Sequence, residues 1–306
     1  MTIMPARPNR VFQVLMAALS ALTVGVLLFF VLVHQRERLI RQVNTKMIEA
    51  ATFLELDPDL GWRNRKGASV FFPPDAQYFV RYQIDAEGNR IDVDPATLQG
   101  PPITRAVWIV GDSSPFGLGV DAEKSFAAQL RTELRKDGVA LKNISVMGYD
   151  SGQLKTYFST RVRAVPVPPD VVILWIGFND ASQFIHELFW RTPFLESVFH
   201  ARYKKNISDI LALCDLLKIR VVEVTLPCFE PHQQLDQLNE WIRSHEGSGG
   251  NVVVVDLQRV FAERNDRGLY TNLDDILPVH FHPSERGHAL VAQLLLPTVK
   301  ELLAKR

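Results

Sequence analysis

Ser113 stands in "GDSSPFG", directly after the apolar run "AVWIV" and in a turn bordered by Gly111 and Gly117. Such a turn leaves a hydroxyl exposed and points the serine's own backbone N–H outward, which suits a nucleophile; Asp and Ser also cap helices and turns as a matter of course. Gly148 in "MGYDSG" can bring a bare backbone N–H against a ligand, and Asn179 in "GFND" can offer a side-chain amide. Each has an ordinary use in turns. Together, the three would present N–H donors to a developing oxyanion, where one donor is worth roughly 3–4 kcal/mol. Acyl transfer also needs a base. Late in the chain "VHFHPSERGH" sets His280, His282 and His288 close together with Glu285 as the only carboxylate between them. Residue type alone does not choose among the three.

For residues so far apart in sequence to meet, the fold must carry them to one edge. From Arg105 onward the runs "AVWIV", "ISVM", "DVVILWI", "RVVEVTL" and "NVVVVDL" alternate with helix-like stretches. That alternation predicts an open α/β fold: a three-layer α/β/α sandwich with about five parallel strands covered on both faces. Ligands of such sheets gather at the carboxyl ends of the strands, where "GDSS", "MGYD" and "GFND" fall. In "SFAAQLRTELRKDG" Ser125 is a plausible N-cap, Phe126, Leu130 and Leu134 share a stripe, and Gly138 can close the end. The final segment reads as a helix kinked by Pro297. Residues 51–104, rich in Asp, Gly, Pro and aromatics, contain the alternating "YFVRYQI" and the turn "DAEGN", and predict a small β-rich segment.

The chain has 306 residues, 47% apolar, with 34 basic and 34 acidic side chains. It can bury one substantial core, and the balanced charge argues against a nucleic-acid partner. Residues 11–33 carry no charge and are long enough to cross a hydrocarbon core of about 30 Å, so they predict a transmembrane anchor after a tail at 1–10, with a helical stalk at 34–50. A cleaved signal peptide fits less well, because "VLVHQRER" offers no small-x-small site. Cys214 and Cys228 could form at most one disulfide and read rather as two buried free thiols. No cofactor is expected, and "HFH" lacks a companion carboxylate or cysteine at metal-ligand spacing.

The ordered blocks "GDSS", "NISVMGY", "GFND" and "HPSERGH" resemble those of the SGNH or GDSL hydrolases, and the likeness runs through 105–306. Upstream, "DPDLGWRNRKG" and "DAEGNR" look like the segment preceding the hydrolase domain in membrane-anchored members. The resemblance implies a flavodoxin-like fold, Ser113 as nucleophile, an oxyanion hole from Ser113, Gly148 and Asn179, and a late histidine as base. The family's late block is D-x-x-H, with a glycine five residues on. Counting back from Gly287 selects His282, leaving His280 a structural or substrate-facing place and His288 a place inside the helix. Asp112 and Asp180 take block positions that hold loops. The departure is Val279, which stands where the orienting Asp belongs. Three readings follow: Asp275 or Asp274 reaches the imidazole, with Asp275 preferred; a backbone carbonyl serves; or catalysis is impaired.

The implied activity is that of a serine esterase or acyltransferase. Membrane-anchored relatives suggest acetyl esters of envelope carbohydrate as substrate, and a single-pass inner-membrane location with the catalytic domain exported. Arg7 and Arg10 before the anchor and Arg36, Arg38 and Arg41 after it point weakly the other way, although long domains translocate largely regardless of such charges. A domain that only binds glycan or an envelope-assembly partner is the alternative. The aromatic-rich stretch 181–203 would wall the pocket or simply pack as a helical insertion.

Overall fold

The computed structural model describes residues 14, 16–27, 45–46, 48–49, 51–72, 80–94, 97–181, 193–227, 233–247, 250–263 and 282–305. The chain divides into two units, Met1–Ala50 and Ala51–Arg306. In the first, residues 16–27 are helical and expose Leu19, Leu22, Val24 and Leu27. Much of the expected anchor and most of the expected stalk lie outside the described residues, and among those described no helix is long and apolar enough to cross a membrane.

The second unit begins with two antiparallel hairpins, β1 (Leu54–Asp57) with β2 (Gly61–Asn64) and β3 (Ser69–Phe72) with β4 (Val80–Gln83). The expected turn at "DAEGN" forms because the Asp85 carboxylate accepts the Glu87 and Asn89 amides. The described part of this β-rich segment falls in the same compact unit as the residues from 105 onward.

Five parallel strands follow: β5 (Arg105–Gly111), β6 (Val139–Asn143), β7 (Val171–Trp175), β8 (Arg220–Val224) and β9 (Val252–Val255), in the order β6-β5-β7-β8-β9. Central β7, "VVILW", is buried at every position, as a strand covered on both faces must be. One expectation is corrected. The second strand is "VALKN", not "ISVM", which lies in the loop beyond it. An edge strand needs only alternate burial, so Lys142 is tolerated there. Val146 and Met147 are apolar because they are buried in the unit's core outside the sheet.

Among the described residues, helices α1 (Ser113–Phe116), α2 (Phe126–Arg135), α3 (Ser151–Thr160), α4 (Phe178–Ala181) and α5 (Pro193–Leu216) interleave with the strands, and α6 (Gln233–Arg243), α7 (Leu257–Glu263) and α8 (Glu285–Ala304) follow. The chain steps outward from β5 to β6, then returns past β5 to β7. Right-handed crossovers therefore put α2 and the later helices between strands on opposite faces. α8 packs beside α2, and α5 beside α3. Ser125 caps α2 through the Ala128 amide, and Phe126, Leu130 and Leu134 are buried. α8 runs as one helix with Pro297 inside it.

Candidate active site

The strand order reverses between β5 and β7, and at such a switch point the loops diverge to leave a crevice at the strands' carboxyl ends. Ser113 follows β5, Asn179 follows β7, and Gly148 lies in the loop after β6. Gly111 ends β5 because a Cβ there would run into the Trp175 carbonyl oxygen and Pro115. The Asp112 side chain accepts the Ser114 amide at 2.9 Å, capping α1 and setting Ser113 in its first turn.

His282 reaches this point from just before α8. Its Nε2 lies 2.7 Å from the Ser113 Oγ, within the range of a good hydrogen bond although the two residues are 169 positions apart. Gly148 has φ 80, a left-handed conformation that lets its amide turn without a side chain in the way. The Asn179 Nδ2 donates to the Tyr149 carbonyl at 2.7 Å, which fixes the amide beside the Gly148 loop. Ser113 and Asn179 thus sit on the two loops that flank the switch point, with His282 against Ser113 and the Gly148 loop bonded to Asn179 through the Tyr149 carbonyl. Asp275, Asp274, Val279 and His280 lie outside the described residues.

Asp112 and Asp180 hold loops, as expected. The Asp180 carboxylate accepts the Ser151 amide at 2.9 Å and its hydroxyl at 2.6 Å, tying the β7 loop to the start of α3. Burial pushes the Asp180 carboxyl up to about 7, helped by the charge of Asp150. Burial likewise pushes Asp112 up to about 7, against the pull of the Ser114, Asp112 and Phe178 amides. His288 is fully buried, stacks on Phe126 at 5.6 Å and accepts the Phe126 amide through Nδ1; burial lowers it to about 3, so it is a neutral packing residue. Cys214 is a buried free thiol pushed up to about 12 by burial; Cys228 lies outside the described residues.

The buried acid gives a pH prediction. Asp112 ionises near 3.8 when unfolded and near 7 when folded, so across that window only the folded state keeps the proton. Its contribution makes folding stability fall as pH rises from about 4 to about 7, then level off. His288 works the other way, with its folded value below 6.5, adding stability as pH rises through about 3–6.5. Asp112→Asn keeps an acceptor for the Ser114 amide and removes only the first slope. Urea titration should show the variant gaining on wild type between pH 5 and pH 8; equal differences at both pH values would refute it.

The sequence model of the GDSL-like Lipase/Acylhydrolase family matches residues 109–290. The chain belongs to this family. Among solved structures, a catalytic mutant of Axe2, an acetylxylan esterase from Geobacillus stearothermophilus, is similar at 21% identity, with a TM-score of 0.52, over 66% of this chain and 96% of that one. LAE5, an alpha/beta hydrolase enzyme from the metagenome of Lake Arreo, Spain, is similar at 21% identity, with a TM-score of 0.51, over 66% of this chain and 98% of that one. These likenesses show the fold. No curated protein matches this chain.

The GDSL blocks account for the residues at the hollow but not for what braces them. Arg90 is buried, donates to the Phe116, Gly117 and Val120 carbonyls at 2.6, 2.5 and 2.7 Å, and pairs with buried Asp92 at 3.3 Å. Its guanidinium lies over the Tyr82 and Phe116 rings at 4.9 and 5.3 Å. The signal available in the sequence was "DAEGNR" itself, which marks a turn and gives no sign that the arginine beside it is interior.

Proposed function

We propose that this GDSL family member is a membrane-anchored serine esterase or acyltransferase acting on O-acyl, chiefly acetyl, esters of envelope carbohydrate, with its catalytic domain exported. The observation that carries the chemistry is the 2.7 Å approach of His282 Nε2 to Ser113 Oγ. With Nδ1 protonated, Nε2 takes the hydroxyl proton as Oγ bonds to the ester carbonyl carbon. The carbonyl oxygen becomes an oxyanion received by the Ser113 and Gly148 amides and the Asn179 side chain. Collapse expels the alcohol, which takes the proton from the imidazolium and leaves an acyl-serine. Water or a sugar hydroxyl then gives its proton to Nε2 and attacks the acyl carbon; as the acyl–Oγ bond breaks, the imidazolium returns that proton to Oγ and Ser113 is freed. Asp275 is the proposed partner that orients His282 from the far nitrogen.

The anchor is supported by the uncharged run 11–33 and by the exposed apolar side chains of the helical stretch 16–27. Family membership and the carbohydrate-ester activity named for the Axe2 relative support the substrate class. A fluorophosphonate probe tests the chemistry, because it reacts only with an activated serine. Wild type should label and Ser113→Ala should not. Val279 in the D-x-x-H position favours a second reading, a binding domain without turnover, and absence of labelling in wild type would support it.

A further inference from the structure

We propose that Trp62, from the segment upstream of the catalytic sheet, is a positioning residue that aims the Gly148 amide into the oxyanion hole. The inference rests on the reading of Gly148 as an oxyanion donor. The Gly148 N–H belongs to the peptide whose carbonyl is that of Met147. The buried Trp62 indole Nε1 donates to that Met147 oxygen at 2.8 Å. In a planar trans peptide the carbonyl and the N–H point in opposite directions, so holding one aims the other. Glycine at φ 80 has no Cβ to resist rotation of this peptide, and a rotated peptide would present its carbonyl where a donor is needed. An accepted hydrogen bond also polarises the amide and strengthens its N–H as a donor.

The surrounding bonds show that the contact is built. The Tyr149 hydroxyl donates back to the Trp62 carbonyl at 2.8 Å, and the two rings meet edge-on at 6.1 Å. Asn64, two residues on in β2, donates through Nδ2 to the Ser145 carbonyl at 3.1 Å, and Gln153 Nε2 donates to the Leu60 carbonyl at 2.6 Å. The Tyr149 carbonyl in turn receives Asn179 Nδ2. Two of the three proposed donors therefore run through a loop held by β2, which gives the "DLGW" portion of the upstream motif a role in the reaction.

The test removes the indole N–H alone. In the full chain, Trp62→Phe and the isosteric 3-benzothienylalanine at position 62 should each lower kcat on p-nitrophenyl acetate about 10-fold with KM unchanged. That is short of the 10²–10³-fold typical of deleting a donor outright. The Gly148 amide resonance should move in both. Gln153→Met, which loosens the same brace away from the Met147–Gly148 peptide, should lower Tm and leave kcat unchanged. An active wild type with kcat within twofold in both position-62 variants overturns this inference and leaves the proposed function standing. So does an equal kcat loss in Gln153→Met, which makes the role purely structural. A wild type that neither labels nor hydrolyses overturns both.

Discussion

Ser113→Ala and His282→Ala are each expected to lower kcat on p-nitrophenyl acetate by about 10⁴–10⁶-fold, and the double variant to fall no further. The hydroxyl and the imidazole act on one proton in one step, so losing either ends the same pathway and the second loss has nothing left to remove. Residual turnover comes from binding and the oxyanion donors, which both variants keep. Additive losses would mean that the 2.7 Å contact is not a catalytic pair. Asp275→Asn belongs to the same series. Where a carboxylate orients a catalytic histidine, its amide replacement costs about 10⁴-fold in turnover. A fall of that order assigns the orienting role to Asp275 despite Val279; unchanged turnover removes Asp275 from the mechanism.

Arg90→Met is expected to destabilise the protein by about 3–5 kcal/mol, the usual cost of leaving one partner of a buried ion pair behind. For a unit of this size that is a Tm loss on the order of 10 °C. Methionine takes away the guanidinium over the Tyr82 and Phe116 rings, removes the donor to the Phe116, Gly117 and Val120 carbonyls, of which Gly117 keeps the Val120 amide at 3.4 Å, and removes the closer of two cations from Asp92. Arg131 remains at 3.6 Å. Burial already raises Asp92 above the usual carboxylate range, with Arg90 and Arg131 opposing that rise, so losing Arg90 should let the acid take up a proton more readily. Replacing Asp92 with Leu in the same chain should recover part of the loss and not all of it, because the carbonyls still lack that donor. Urea titration measures both free-energy changes and thermal melting the Tm; a Tm change under about 3 °C for Arg90→Met would show that the guanidinium is not holding the loop.

Four of the five strands of the main sheet were legible as short apolar runs, most plainly β7, which is covered on both faces and buried at every position. The edge strand β6 was misplaced because its pattern mixes buried and solvated positions. "VALKN" has one solvated side, while "ISVM" owes its apolarity to burial outside the sheet. The cap at Ser125 and the turn at Asp85 could be read from residue type because each is satisfied within a few positions of itself. For residues 51–104 the alternation says where strands lie and nothing about what their side chains meet, such as Trp62 on the Met147 carbonyl.

The sequence by itself determined the layered α/β architecture and set a serine, a glycine and an asparagine in the loops after successive strands. Those outcomes follow from periodicity and backbone needs, which residue types carry locally. Only the tertiary structure decided that His282 meets Ser113, that Arg90 is interior and that Trp62 grips the peptide of Gly148. Each of these joins positions that are distant along the chain, and such a bond exists only once the intervening elements have packed and excluded water around it.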